Sequence, residues 1–259
     1  AAPSGGYPAV NLLVENNESD AEDYGSIIDA YNQDRKSIDR HVTQEAHEII
    51  ESDPELKNCK STVIYNPRWM KGIVGIVASR LIETYFRPTV VLSQSNGFAT
   101  GSARSVPGFD LYQAVESCAD LLENFGGHMY AAGLTMRPEN VGEFTRRFNA
   151  YVEENIDPQM LVPQVDVDAE LLFSEITPAF RRELKRFEPF GPGNAARIFA
   201  TRSVSTRGDA KLVGAECEHL RMDLTQRQKP NTTLQCIAFQ QPEHFEWIRS
   251  GRPVDVCYQ

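Results

Sequence analysis

The chain has 259 residues, 41% of them hydrophobic and 24% charged, with a net charge of −10 at pH 7. That length suffices for two modest domains with cores of their own, and the composition is that of an ordinary globular protein. No run of 18 or more apolar residues occurs, which excludes a membrane-spanning helix, and Ala1-Ala2-Pro3-Ser4-Gly5-Gly6 lacks the basic and apolar regions of a secretion signal, so a cytoplasmic protein is expected.

Residues 18–52 predict one helix of about thirty residues. Tyr24, Ile28, Tyr31, Ile38, Val42 and Ile49 follow a 4–3 spacing, Ser19 or Asp20 can cap the start, and Pro54 follows the end. Its acidic outer face favours a connector between domains over a core helix. Strands and helices then alternate from 61 to 156, the pattern of an α/β domain. The expected order is a strand at 61–65, a helix at 72–85, strands at 88–93 and 98–106, a helix from Asp110 to Phe125, a strand at 130–137 and a helix at 138–156. In the helix at 72–85, Gly75 and Ala78 are small enough for close packing. Asp110 with Gln113 has the spacing of a capping box. Asp157–Gln164 carries two prolines and reads as a linker. Short strands around 165–172, 197–206, 218–225, 233–240 and 253–258, with a helix at 177–187 and a helical turn near 243–250, point to a small β-barrel or sandwich.

The charge is unevenly spread. Residues 1–60 hold 5 basic against 13 acidic side chains, whereas 61–109 carries a net +4 and 176–211 a net +5. A polyanion responds to such local fields, although solvated faces give the same counts. The five cysteines are odd in number and form no Cys-x-x-Cys pair, and the five histidines do not cluster, so buried reduced thiols and no zinc site are expected. In 97–105, Arg104 offers a planar donor fork for phosphate oxygens, Ser102 and Ser105 offer hydroxyls, and Gly101 gives a ligand access to the backbone. An edge strand with one solvated arginine is the alternative. In Phe125-Gly-Gly-His-Met-Tyr-Ala-Ala-Gly133, small residues on both sides of His128 leave open space and bare amides beside an imidazole, which suits a phosphate or sugar edge. Taken singly, Gly126 also fits a helix C-cap and His128 a structural histidine.

Together, Gly101-Ser-Ala-Arg-Ser105 and Phe125-Gly-Gly-His-x-x-Ala-Ala-Gly133 resemble the DHH-associated domain of the Asp-His-His phosphoesterase superfamily, and Gly72-Ile-Val-Gly-Ile-Val-Ala-Ser-Arg80 is similar to its preceding helix. Pro189-Phe-Gly-Pro-Gly-Asn194, His219-Leu-Arg-Met and Val254-Asp-Val-Cys-Tyr258 extend the resemblance to the oligonucleotide-binding barrel of the RecJ-type exonuclease family. It implies a remnant of a catalytic domain at 1–17, a connector helix at 18–56, a DHH-associated α/β domain at 57–157 and an oligonucleotide-binding barrel, truncated, at 158–259. It implies that Ser102, Arg104, Ser105, Gly126, Gly127 and His128 contact the substrate backbone, and that Phe187, Phe190 and Phe199 are candidates to stack bases, with packing in a core the commoner fate of such rings. The implied whole protein is a 5′→3′ single-stranded-DNA exonuclease of recombination and repair, using Mn²⁺ or Mg²⁺ and working with single-strand-binding protein and helicase. The sequence contains no Asp-His-His string, so the metal ligands are expected outside this chain, which is then expected to bind without cleaving. Alternatives are a nano-RNase or cyclic-dinucleotide phosphodiesterase of the same superfamily, a non-catalytic single-strand-binding module, and the editing-associated domain of an alanyl-tRNA synthetase. Residues 165–259 count against the first, and the lack of zinc-ligand spacing against the last.

Overall fold

The computed structural model describes residues 7–226 and 229–259, with residues 229–231 described in backbone only. Expectations for residues 1–6 lie outside the described residues. The chain divides into two compact units, Ala1–Pro163 and Gln164–Gln259.

The first unit begins with α1 (Tyr7–Val14) and α2 (Glu18–Ser52). Asn17, not Ser19 or Asp20, caps α2 by accepting the Ser19 N–H at 3.0 Å, and Glu18 and Asp20 add negative charge to its first turn. At 35 residues α2 is about 52 Å long. Its buried stripe is Asp39, Val42, Ala46 and Ile50, so the expected seam is corrected: only Val42 belongs to it, while Ile38 is exposed and Tyr24, Ile28, Tyr31 and Ile49 are half-buried. No residue of α2 before Asp39 is buried.

There follow α3 (Pro54–Asn58), β1 (Thr62–Tyr65), α4 (Val74–Tyr85), β2 (Thr89–Ser95), β3 (Phe98–Arg104), α5 (Leu111–Glu116), β4 (Leu122–His128), β5 (Ala131–Met136) and α6 (Val141–Asn155). The sheet order is β1-β2-β3-β5-β4, with β1 and β2 parallel across the α4 crossover and the other pairs antiparallel. Asn96-Gly97, both at positive φ, close the β2–β3 hairpin in two residues, the turn chemistry that matches strand twist. Alternation sorts the side chains. Val63, Val90, Leu92, Ala103, Ala132 and Leu134 pack with α5 and α6 on one face; Ile64 and Val91 pack with α2 and α4 on the other.

The helix expected from Asp110 to Phe125 ends at Glu116. Asp110 caps it, accepting the Gln113 N–H at 3.1 Å, but residues 122–128 form a strand paired with β5 along its length. Gly126 is therefore an edge-strand residue, and the C-cap reading is wrong.

The second unit contains β6 (Ala169–Glu170), α7 (Pro178–Lys185), β7 (Phe199–Thr206), β8 (Lys211–Val213), β9 (His219–Gln226), β10 (Lys229–Ala238), α8 (Phe245–Arg249) and β11 (Val254–Tyr258). Strands run β10-β9-β7-β11, with β6 on β7 and β8 on β9. Among the described residues no pairing joins β10 to β11, so the sheet does not close on itself, and of the barrel or sandwich expected here it forms an open set of strands. Leu220, Met222 and Leu224 point into a core with Phe173, Val204 and Ile248. The strand expected at 165–172 shrinks to two residues, and β8 is an addition to the expected set. Cys118 is buried, but Cys217 and Cys257 are exposed, which corrects the expectation of buried thiols; all five are unpaired with one another.

Candidate nucleic-acid interface

The sheet register brings most of the sequence-predicted residues together. Ser102 lies opposite Gly133, which lies opposite Gly126; Arg104 lies opposite Ala131, which lies opposite His128. Residues two apart on a strand share a face, so these two rows form one patch. Arg104 and His128 stand two strands apart, roughly 10 Å. Between them the floor carries one methyl and two bare glycines. A Cβ at Gly126 would meet nothing within 4 Å, and one at Gly133 only the Gly101 carbonyl at 3.9 Å.

The first turn of α4 walls this shelf on the Arg104 side. A Cβ at Gly75 would lie 3.1 Å from Arg104 Nη2 and 3.3 Å from Ser102 Oγ, so glycine lets the helix sit this close. No side chain caps α4, and although Ile76 N–H donates to the Ile73 carbonyl at 2.9 Å, the N–H groups of Val74 and Gly75 and the positive end of the helix dipole are left beside the guanidinium. Such a terminus favours anions. Arg104 is half-buried, and its Nη1 donates to the Ala103 carbonyl at 2.9 Å, which orients the fork. His128 is exposed; its Nδ1 accepts the Tyr130 N–H at 3.2 Å, so in the neutral ring Nε2 carries the proton and is a donor.

Three of the residues singled out from sequence have structural contacts of their own. Ser105 Oγ donates to the Phe109 carbonyl at 2.9 Å, and its N–H donates to Tyr130 O at 3.0 Å, so it ties the exit of β3 to the β4–β5 turn. Gly127 has φ +153°, and a Cβ there would lie 2.2 Å from the Ala131 carbonyl: it permits the close approach of β4 to β5. Gly101, expected to give a ligand access, is buried, and a Cβ there would meet the Val91 carbonyl at 2.1 Å. The residue that sequence reasoning undervalues is Gly75, expected only to ease packing. Its signal is a glycine inside a Val/Ile-rich helix start.

The positive window at 61–109 is partly used inside the fold. Arg80 makes a two-pronged contact with buried Asp39, at 2.9 and 3.1 Å. Arg87 is buried among the carbonyls of Leu56, Lys57 and Cys59 and the Thr62 hydroxyl, and burial pulls its pKa down. Arg68 and Lys71 stay exposed on the loop leading into α4. Of the aromatics weighed between base stacking and core packing, Phe199 is a core residue, 7% exposed, whereas Phe187 and Phe190 are exposed. Among the described residues no group of three or more His, Cys, Asp or Glu is placed to hold a metal ion, so these side chains do not fit a divalent centre. No described helix is long and apolar enough to cross a membrane.

Family models match both units: a DHHA1 domain at residues 58–154 and a RecJ OB domain at residues 167–259. The single-stranded-DNA-specific exonuclease RecJ of Bacillus subtilis (strain 168) is 31% identical over 251 residues, covering 96% of this chain and 31% of the relative. Crystal structures of RecJ from Thermus thermophilus, in complex with Mn²⁺ and with Mg²⁺, each match with a TM-score of 0.72 at 27% identity, covering 91% of this chain and 33% and 35% of those chains. The chain is thus a homologue of the RecJ single-stranded-DNA exonucleases across 96% of its length. It spans about a third of the length of these relatives.

Proposed function

We propose that this chain is the substrate-holding part of a RecJ-type 5′→3′ single-stranded-DNA exonuclease acting in the cytoplasm in recombination and repair. The observation that carries the reading is the shelf: Arg104 and His128 on one face of three strands, with side-chain-free backbone at Gly126 and Gly133 between them. A phosphodiester fits such a surface because its oxygens accept from the guanidinium, the imidazole Nε2 and first-turn amides of α4, while the bare floor lets the backbone approach. Ser102 sits at the same edge. Ser105 and Gly127 shape the shelf instead of touching the strand. The RecJ OB domain at 167–259 supports a longer track for the strand, as such domains commonly provide.

The homologous crystal structures hold Mn²⁺ or Mg²⁺. In this reading the metals supply water activation and charge neutralisation from a part of the protein beyond this chain. The chain binds the strand and does not cut it, with single-strand-binding protein and helicase as partners of the whole enzyme. The test is to incubate the chain with labelled single- and double-stranded DNA, with and without Mn²⁺. The expected result is metal-independent retention of the single strand and no shortening of it. Processive digestion, or preference for duplex, contradicts the reading.

A further inference from the structure

The turn that joins β4 to β5 holds an aromatic ring beside the shelf. His128 pairs with Ala131, so Met129 and Tyr130 make the whole connection. Three of its backbone groups are tied. The Tyr130 N–H donates to His128 Nδ1 at 3.2 Å, the Tyr130 carbonyl accepts the Ser105 N–H at 3.0 Å, and the Met129 carbonyl accepts the Leu111 N–H at 3.1 Å. A tyrosine on so fixed a backbone has only its side-chain torsions left to order when it meets a ligand.

Single exposed aromatics are ordinary at a surface; the surroundings set this one apart. Tyr130 is 50% exposed, and its ring centre lies 6.1 Å from that of His128, with the planes at 69°. Such an edge-to-face contact covers at most one face of the phenol ring. Among the described residues the Tyr130 hydroxyl has no hydrogen-bond partner. On the far side of the shelf α4 stands close against Arg104 and Ser102, whereas β4 is an edge of the sheet. A nucleotide whose phosphate sits between Arg104 and His128 therefore has its open side towards that edge and this turn.

We propose that Tyr130 is a specificity-determining residue of the shelf. Its ring takes the base of the nucleotide whose phosphate Arg104 and His128 hold, so the site selects a base-bearing nucleotide over a bare sugar-phosphate. In a nucleotide the phosphate and the base stand one sugar apart, a span of the same order as the separation of the His128 and Tyr130 rings. Every base offers a flat face to an aromatic ring, so Tyr130 demands a base without choosing which. This inference rests on the reading of the shelf as a phosphodiester site, and adds the part of the substrate that the phosphate donors do not contact.

The test uses the full chain, in the presence of a chelator, and two fluorescent strands of equal length, oligodeoxyadenylate and an abasic deoxyribose-phosphate polymer. NMR follows the tyrosine ring protons, with Tyr130 assigned as the signals missing from Tyr130→Phe, and anisotropy gives the affinities. Oligodeoxyadenylate is expected to shift the Tyr130 ring protons upfield, and the abasic strand is not. Tyr130→Ala is expected to weaken oligodeoxyadenylate binding about tenfold and to leave the abasic strand unaffected, while Tyr130→Phe keeps the affinity of the unaltered chain. Tyr130 signals that stay in place with oligodeoxyadenylate bound, or an equal loss on both strands in Tyr130→Ala, overturn the proposal. If Arg104→Ala weakens binding and Tyr130→Ala does not, this proposal fails alone. If the unaltered chain binds neither strand, it fails together with the reading it rests on.

Discussion

Gly126 and Gly127 are neighbours in sequence and opposites in role. Gly127 is held at φ +153° with backbone 2.2 Å from where a Cβ would stand, so Gly127→Ala is expected to cost about 2 kcal/mol or more and to lower the melting temperature. Gly126→Ala meets nothing and is expected to melt within about 0.5 kcal/mol of the unaltered chain, yet to weaken single-strand binding because its methyl enters the shelf. Thermal melting and anisotropy on the two variants separate these outcomes; equal destabilisation by both contradicts the assignment. Arg104, Gly126 and His128 are conspicuous in the sequence because small residues and donors cluster around them. The sequence does not separate Gly126 from Gly127, or free Ser102 from loop-bound Ser105, because that distinction depends on strand parity and partner register. Neither is written in the local string.

At the scale of elements, α2 is fastened to α4 and its entry loop by polar contacts. Asp39 meets Arg80, Glu45 accepts the Trp69 indole N–H at 2.7 Å, and Tyr85 links His47 and Glu51 at 3.1 and 3.0 Å. A buried ion pair adds little over an apolar pair of the same volume, but removing one partner leaves the other unmet. Asp39→Asn is expected to cost about 1–3 kcal/mol in chemical denaturation; no change contradicts a fastening role for the Asp39–Arg80 pair. Burial, reinforced by the Glu51 carboxylate, pushes the Tyr85 pKa up to about 12. The unfolded chain then loses this proton first, at a pH of about 10, so stability contributed by Tyr85 is present below a pH of about 10 and lost as pH rises towards about 12. Tyr85→Phe is expected to flatten that part of the stability profile. The long helix itself is legible from its period and its polar start. Its true stripe is not, because a buried aspartate does not read as core and because the first half of the helix buries nothing. The strand at 122–128 escapes sequence reading because a good cap at Asp110 launches a helix, and only pairing with β5 shows where it stops.

At the scale of the whole molecule, the order of motifs carries more than any one of them. The α/β unit and the following strands are visible as alternating and then clustered periods, whereas openness of the second sheet depends on which edges pair. In the proposed reading binding and chemistry are divided: the donors of this chain grip a phosphodiester, and no described cluster suits a metal. That reading puts the strand on the face shared by Arg104, Gly126, Gly133 and His128. Backbone amide NMR of the full chain, titrated with a short single-stranded oligonucleotide in the presence of a chelator, tests that placement most directly. The largest shifts are expected at Gly75, Gly126, His128 and Gly133, abolished by Arg104→Ala. Binding that leaves those four amides unmoved would contradict it.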